Sequence, residues 1–191
     1  DTRHMGKVLA ISGDTLVVGG DVQGEADVGV VYVYTWNGNG WTEQAKLYAS
    51  DRASAGQGFG SAVAIDGDLL IVGAPHDDLA GTDTGAAYLF VRQNGAWHLE
   101  QKIRANDASA GALFGATVAV SGSSAMIGSS GGTKDAAYVF VRSGTTWSQQ
   151  AKLTLTDGDS ADLGAAVGIA GDTAVVGAPE RGSTDVGARA V

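Results

Sequence analysis

Aspartates at recurring places in glycine-rich segments are the residues of this chain best suited to chemistry. One kind of segment follows a stretch that starts with tryptophan, and the other follows Gly73-Ala-Pro75. Carboxylates in such loops can bind cations, accept hydrogen bonds from a ligand or exchange protons with a substrate. The sequence therefore offers six candidate ligand-binding residues: Asp51, Asp77, Asp78, Asp83, Asp107 and Asp157.

The group Asp77, Asp78 and Asp83 is the best candidate for a metal site, because three carboxylates lie within seven positions. No cofactor is predicted and metal binding is left open; if an ion binds there, a weakly bound Ca²⁺ is the one that these carboxylates suit. The alternative interpretation is structural, since aspartates in glycine-rich loops commonly accept hydrogen bonds from their own backbone.

A hydrolase is the rival to a binding protein. His76 stands beside Asp77, so His76, Asp77 and Asp78 could act as acid–base groups. The three histidines lack the His-Glu-x-x-His spacing of a zinc site, and the chain has no cysteine. Catalytic residues should occur once, whereas aspartate recurs in nearly every loop, so we assign no catalytic residue. We predict a non-enzymatic binding or adhesion module, and a structural spacer within a larger secreted protein is the third possibility.

These loops belong to an internal repeat. The stretch Trp41–Leu47 matches Trp97–Ile103 and Trp147–Leu153, and a glycine recurs at positions 6, 60, 115 and 164. The repeats run approximately over 5–58, 59–113, 114–162 and 163–191, and the last is truncated. We treat residues 1–191 as a single domain of four repeats.

Each repeat carries up to four short strand signals bounded by Gly, Asp and Asn clusters. In the second repeat these are Ser61–Ile65, Leu69–Val72, Ala86–Val91 and Trp97–Ile103, which run from small and apolar to amphipathic. Four-stranded sheets with that gradient are typical of propeller blades. The sequence therefore predicts an all-β chain of antiparallel blades with 15 strands, and a β-solenoid is the second choice.

The second repeat resembles a known family. Phe59-Gly60, then twelve residues, then Gly73-Ala-Pro75 and Gly85-Ala-Ala-Tyr88 are similar to the FG-GAP repeat of integrin α-chain propellers and of many bacterial secreted proteins. The resemblance implies a propeller, usually of seven blades, that works in adhesion or ligand binding and is secreted or on the cell surface. Family blades often carry an Asp-x-Asp-x-Asp-Gly calcium loop, but the corresponding turns here, such as Asp66-Gly67-Asp68, are too short to surround Ca²⁺.

Charge separates with loop length. In an antiparallel blade the long connections between strands two and three, and from strand four to the next blade, share one face, where function is usual. Fourteen of the 21 acidic residues fall in these loops, but only Arg52, Lys134 and Arg181 of the 12 basic residues clearly do. The net charge of −9 argues against nucleic acid as a partner, and no apolar run is long enough to span a membrane. A protein or carbohydrate ligand is expected on the acidic face.

Recurring aromatic residues indicate packing between blades. We expect Phe59 and Phe114 to be buried there, and the tryptophans at 41, 97 and 147 to pack at blade edges rather than to form a sugar-binding platform. Apolar strands in the first and last repeats, such as Val8–Ile11 and Val175-Val176, would lie at the ends of the array. The chain is therefore expected either to be a fragment of a longer propeller or to form a homodimer that completes a larger ring.

Overall fold

The computed structural model describes residues 3–22, 29–51, 56–131, 135–155, 162–179 and 188–190. These residues form fifteen strands in four antiparallel sheets, which we call blades 1 to 4. Within each blade the strands are neighbours in chain order. The predicted all-β fold of propeller-type blades is therefore confirmed, and the described residues contain no helix that could cross a membrane.

Three blades have four strands and the fourth has three. Blade 1 contains β1 (Arg3–Ser12), β2 (Thr15–Val22), β3 (Val30–Trp36) and β4 (Trp41–Leu47). Blade 2 contains β5 (Ala62–Asp66), β6 (Leu69–Ala74), β7 (Ala86–Gln93) and β8 (Ala96–Ile103). Blade 3 contains β9 (Phe114–Ser121), β10 (Ser124–Ser129), β11 (Ala136–Ser143) and β12 (Thr146–Leu153). Blade 4 contains β13 (Ala166–Ala170), β14 (Thr173–Gly177) and β15 (Ala188–Ala190).

Tight turns join the first two strands of every blade. Each has two residues between the strands, and the first is a glycine with φ between 53° and 57°: Gly13, Gly67, Gly122 and Gly171. The second residue has no positive φ, so these are type II′ hairpin turns, whose twist matches that of the strands. The turn between β7 and β8 differs, because Asn94 and Gly95 both have positive φ, as a type I′ turn requires.

Consecutive blades pack face to face. Val31, Val33 and Leu47 of blade 1 form one apolar cluster with Leu70 and other residues of blade 2, and Phe59 is buried within it. We call the face that meets the next blade the trailing face, and the opposite one the leading face. Phe114 is buried in the equivalent cluster between blades 2 and 3, so the predicted burial of both phenylalanines is confirmed.

Glycine contacts set the spacing of the inner strands. A Cβ built on Gly73 would lie 2.0 Å from the carbonyl oxygen of Gly115, the glycine that follows Phe114 in the next blade. The same clash, at 2.3 Å, would arise between Gly19 and the carbonyl oxygen of Gly60. The backbones of neighbouring blades therefore touch where Phe-Gly of one blade meets the second strand of the preceding blade.

A bulge shapes the outer strand of each complete blade. The register between the third and fourth strands shifts beside Val33, Leu89 and Val139, which leaves Gln44, Glu100 and Gln150 as the extra residues. Bulges re-aim side chains. Gln44 Oε1 accepts the indole N–H of Trp97 at 3.0 Å, and Glu100 Oε2 accepts that of Trp147 at 2.9 Å.

The recurring tryptophans therefore pack between blades where a preceding blade exists. Trp97 and Trp147 are 9% and 3% exposed, which confirms the predicted blade-edge packing. Trp41 of blade 1 is 43% exposed and lies against Trp36, with ring centroids 5.5 Å apart. In the part of the chain that the structure describes, no sheet and no apolar cluster links blade 1 to blade 4, and the sheets do not close into a ring.

Candidate functional site

Two long loops form one rigid surface at the junction of blades 2 and 3. Loop 75–85 joins β6 to β7, and loop 104–113 joins β8 to β9. The backbone amides of Gly111, Leu113 and Phe114 donate to the carbonyl oxygens of residues 82–84 at 2.9–3.1 Å. The strand order and these bonds confirm that the two kinds of long loop share a face.

Asp77 lies at the buried base of this surface. Its side chain is fully buried and accepts hydrogen bonds from Lys102 Nζ at 2.5 Å and from Arg104 Nη2 at 3.3 Å. The Tyr88 hydroxyl lies 3.5 Å from the same carboxylate. A buried carboxylate needs such partners, because an unpaired charge in the interior is costly. These contacts leave Asp77 no direct access to a ligand.

Asp51 and Asp107 join neighbouring blades. Asp51 follows blade 1 and accepts hydrogen bonds from the Tyr88 hydroxyl at 2.7 Å and from Lys102 Nζ, both in blade 2. Asp107 follows blade 2 and accepts from the Tyr138 hydroxyl at 3.0 Å and from Lys152 Nζ at 2.5 Å, both in blade 3. We call each arrangement an Asp–Tyr–Lys cluster.

Contacts within these clusters shift the pKa values of the aspartates and tyrosines. The hydrogen bond from Lys152 lowers the pKa of Asp107, although burial opposes it. Burial raises the pKa of Asp51, but the hydrogen bonds from Lys102 and Tyr88 outweigh it, so the net pKa is lowered. Burial, together with the hydrogen bond to Asp51, raises the pKa of the Tyr88 hydroxyl. The carboxylates are therefore charged and neutralised inside the chain.

Asp78 and Asp83 differ from the other described candidates because neither pairs with a lysine or an arginine among the described residues. The Asp83 amide donates to Asp78 Oδ1 at 2.7 Å, and the Asp83 carboxylate lies 2.8 Å from His76 Nδ1. Asp83 has φ of 51°, so this loop adopts a strained backbone that the neighbouring bonds hold. Leu79, the residue after Asp78, is 60% exposed. Asp157, the sixth candidate, lies outside the described residues.

The hydrolase hypothesis placed His76, Asp77 and Asp78 in one site, but in the structure the three side chains have different partners. His76 pairs with Asp83 rather than with Asp77, whose carboxylate is turned toward Lys102 and Arg104. Because Lys102 and Arg104 already pair with the Asp77 carboxylate, it is not free to bind a metal ion in this arrangement. Among the described residues, no group of three or more His, Asp or Glu side chains is arranged to hold a metal ion.

The sequence interpretation missed the lysines that neutralise the loop acids. Lys102 and Lys152 belong to outer strands, so counting charges by loop left them out. A signal was present, because Lys46, Lys102 and Lys152 each precede an aspartate by five residues and follow a tyrosine by fourteen. At the junctions between blades 1 and 2 and between blades 2 and 3, the aspartate of this pattern contacts the tyrosine and lysine of the next repeat.

The family comparison agrees with this repeat architecture. The profile of the FG-GAP repeat matches residues 41–90, 97–140 and 147–191, which is most of the chain. The chain belongs to the FG-GAP repeat family. No curated protein matches the chain. The FG-GAP motif has a direct meaning here, since Gly115 of one Phe-Gly pair lies against Gly73 of the Gly-Ala-Pro segment in the preceding blade.

Proposed function

We propose that this FG-GAP protein is a non-enzymatic binding module, secreted or on a cell surface, and that loops 75–85 and 104–113 form its recognition surface. The family membership supports a binding role, and the rigid loop pair supports this location. A ligand that met these loops would find an ordered surface, which lowers the entropic cost of binding.

One observation carries the choice of residues. The carboxylates of Asp51, Asp77 and Asp107 are paired with lysines of neighbouring strands, whereas Asp83 pairs with His76 and Asp78 accepts from the Asp83 amide, on a loop that also exposes Leu79. The negative charge that this face can offer to a ligand is therefore smaller than the number of acidic residues in the sequence suggests. Two carboxylates around an exposed leucine suit a protein ligand with a basic side chain next to an apolar one.

The test compares two variants with equal loss of charge. Binding of immobilised peptides with adjacent Lys or Arg and Leu or Phe residues would be measured for the wild type, for Asp78→Asn with Asp83→Asn, and for Asp14→Asn with Asp172→Asn. The control acids lie in type II′ turns on the opposite face. We expect the loop variant to weaken binding roughly 5- to 30-fold, as loss of two exposed ion pairs would. Equal affinities for the two variants would refute the proposed surface.

Calcium binding is proposed to be weak and to involve Asp78 and Asp83. Two exposed carboxylates supply fewer oxygens than the six to eight that Ca²⁺ prefers. Calorimetry with Ca²⁺ on the wild type and on the Asp78→Asn, Asp83→Asn variant tests this. A tight site that survives in the variant would contradict it.

The homodimer predicted from the sequence stays a prediction. Its physical basis is the exposure of Leu9, Ile11 and Trp41 on blade 1 and of Val175 on blade 4.

A further inference from the structure

A groove of about 390 Å³ lies between the outer strands of blades 2 and 3. Its blade 2 wall consists of residues between Gln101 and Asn106, at the end of β8 and the start of loop 104–113. Its blade 3 wall consists of Phe140 in β11 and residues 147–149 in β12. The volume is in the range of sites for small molecules.

The polar lining of this groove is not a feature of the repeat. Four lining residues differ in type from their equivalents at the junction of blades 1 and 2: Gln101 for Ala45, Arg104 for Tyr48, Asn106 for Ser50 and Gln149 for Leu99. Contacts that hold blades together recur, as the Asp–Tyr–Lys clusters do. Three amides and a guanidinium that occur together once are better explained by a role specific to this junction.

Several of these side chains are held in place. Gln101 donates to the carbonyl oxygen of Trp147 at 3.0 Å and accepts from its amide at 2.8 Å. Gln149 Oε1 accepts the backbone amide of Asn106 at 3.0 Å, so the NH₂ group of Gln149 remains as a donor. Polar groups that are already fixed bind a ligand at a lower entropic cost.

Arg104 has more donors than the described residues satisfy. Its guanidinium carries five N–H groups, but its one acceptor among those residues is Asp77 Oδ1, 3.3 Å from Nη2. The Nε atom is buried and has no acceptor there, which is rare for a polar atom in a folded protein. A planar guanidinium with unused donors is suited to bind a carboxylate.

The other lining groups are suited to hydroxyls. None of the described lining residues is acidic, and Lys102 is already neutralised by Asp51 and Asp77, so Arg104 is the cation that remains for a ligand. The amides of Asn106 and Gln149 and the hydroxyl of Ser148 contain both donors and acceptors, as sugar hydroxyls do. A carboxylate beside several hydroxyls is the chemistry of a sugar acid.

We propose that this groove binds an acidic sugar, a hexuronic acid unit of a glycan. The carboxylate of the sugar pairs with Arg104, and its ring hydroxyls exchange hydrogen bonds with Asn106, Ser148 and Gln149. Trp147 is 3% exposed and supports the wall of the groove instead of stacking on the sugar. The site does not use Asp78 or Asp83, so it adds a second class of ligand to the binding module and does not depend on the protein ligand proposed above.

The test is an NMR titration of the full chain, labelled with ¹⁵N, with sodium glucuronate. Glucose supplies hydroxyls without a carboxylate, and acetate supplies a carboxylate without hydroxyls. We expect saturable shifts of the side-chain NH₂ signals of Asn106 and Gln149 and of the Arg104 Nε–H signal. Both control compounds should bind at least about tenfold more weakly, because hydrogen bonds to a charged group and to several hydroxyls are lost in turn. Equal affinity for acetate or for glucose would overturn the proposal.

Two double variants locate the site. Asn106→Ala with Gln149→Ala should weaken glucuronate binding at least about fivefold, through loss of two hydrogen bonds. The matched control, Ser50→Ala with Leu99→Ala, changes the equivalent positions at the junction of blades 1 and 2 and should leave binding unchanged. Equal affinities of the two double variants, or no saturable shift in the wild type, would overturn the proposal.

Arg104→Lys tests the role of the guanidinium. Lysine keeps a positive charge beside the buried Asp77 carboxylate but lacks the planar fork that binds a carboxylate. We expect glucuronate to bind roughly tenfold more weakly to this variant, and acetate and glucose to bind to it equally weakly. The backbone amide spectrum shows whether the variant keeps the fold. Unchanged glucuronate affinity in a folded Arg104→Lys chain would contradict the pairing, and the double variants decide the matter if this chain does not fold.

Discussion

At the scale of single residues, the role of each carboxylate depends on whether a base from the next blade reaches it. Asp51 and Asp107 meet lysines of the following blade, and Glu100 meets Arg142. Asp78 accepts instead from the backbone amide of Asp83 in its own loop. Acids that look alike in the sequence therefore divide into those that join blades and those that bond within their own loop.

Glu100 should make stability sensitive to acid. The hydrogen bond from Arg142 lowers the pKa of Glu100, so its folded pKa lies below the unfolded value of about 4.3. The stabilisation is present above that value and is lost as the pH falls through the folded pKa. We expect Glu100→Gln to lower the free energy of unfolding at pH 7 by roughly 1–3 kcal/mol and to flatten its decline below about pH 4.5.

The measurement is urea denaturation from pH 7 down to pH 3. Glu43→Gln is the control, because Glu43 is about half exposed and lies 3.5 Å from Lys46. Glutamine already occupies the matching positions 44 and 150, so Glu100→Gln should fold. Parallel pH profiles for the wild type and Glu100→Gln would contradict the prediction.

The sequence predicted residue positions better than residue partners. It placed Asp78 and Asp83 on the long-loop face and the tryptophans at blade edges, and the structure agrees for Trp97 and Trp147. It did not predict that His76 pairs with Asp83. The backbone angles of a loop, such as the positive φ of Asp83, decide which side chains come within reach of each other, and these angles are not evident from the sequence. The exposure of Trp41 follows from its place in the first blade rather than from its residue type.

At the scale of elements, the repeat predicted the strands closely. The strand expected at Leu69–Val72 is observed as β6 (Leu69–Ala74), and that expected at Trp97–Ile103 as β8 (Ala96–Ile103). Short strand signals bounded by Gly, Asp and Asn clusters carried this information. The bulges at Gln44, Glu100 and Gln150 were not predictable, since an extra residue in one strand depends on pairing with the other.

Packing of Phe59 and Phe114 should dominate the contact between blades. Both rings are buried and meet two aromatic rings edge-on, as Phe59 does with Tyr88 at 5.2 Å between centroids. We expect Phe59→Ala and Phe114→Ala each to lower the free energy of unfolding by roughly 3–5 kcal/mol. Urea denaturation measures this, and a loss below about 1 kcal/mol would contradict the buried position.

Gly73 should tolerate no side chain. A Cβ there would lie 2.0 Å from the carbonyl oxygen of Gly115, and a backbone atom cannot move aside as a flexible side chain can. We expect Gly73→Ala to cost roughly 1–3 kcal/mol or more, by forcing the inner strands of blades 2 and 3 apart. Gly168→Ala is the matched control, because a Cβ on Gly168 meets no heavy atom within 4 Å. Equal stability of the two variants would disprove the close-contact argument.

At the scale of the whole molecule, the apolar core lies between blades. The three main apolar clusters each lie between two consecutive blades. Type II′ turns add a further link, since the Gly67 amide donates to Ser12 Oγ at 3.0 Å and the Gly122 amide to Asp66 Oδ2 at 2.7 Å. Such arrays gain stability from interfaces between repeats, so an uncovered blade face favours association.

Self-association through the outer blades is the last prediction. Leu9 and Ile11 on the leading face of blade 1 are each 62% exposed, and Val175 of blade 4 is 43% exposed. Pairing of blade 1 with blade 4 of a second copy would bury these side chains, and the two copies would be related by a two-fold axis. Light scattering over a range of concentrations should show the mass rising from 19.2 kDa toward twice that value. Leu9→Lys with Ile11→Lys should keep the chain monomeric, whereas Leu79→Lys should not, because Leu79 is equally exposed but lies on the long-loop face. A wild-type mass that stays at 19.2 kDa at every concentration would rule out pairing through these faces.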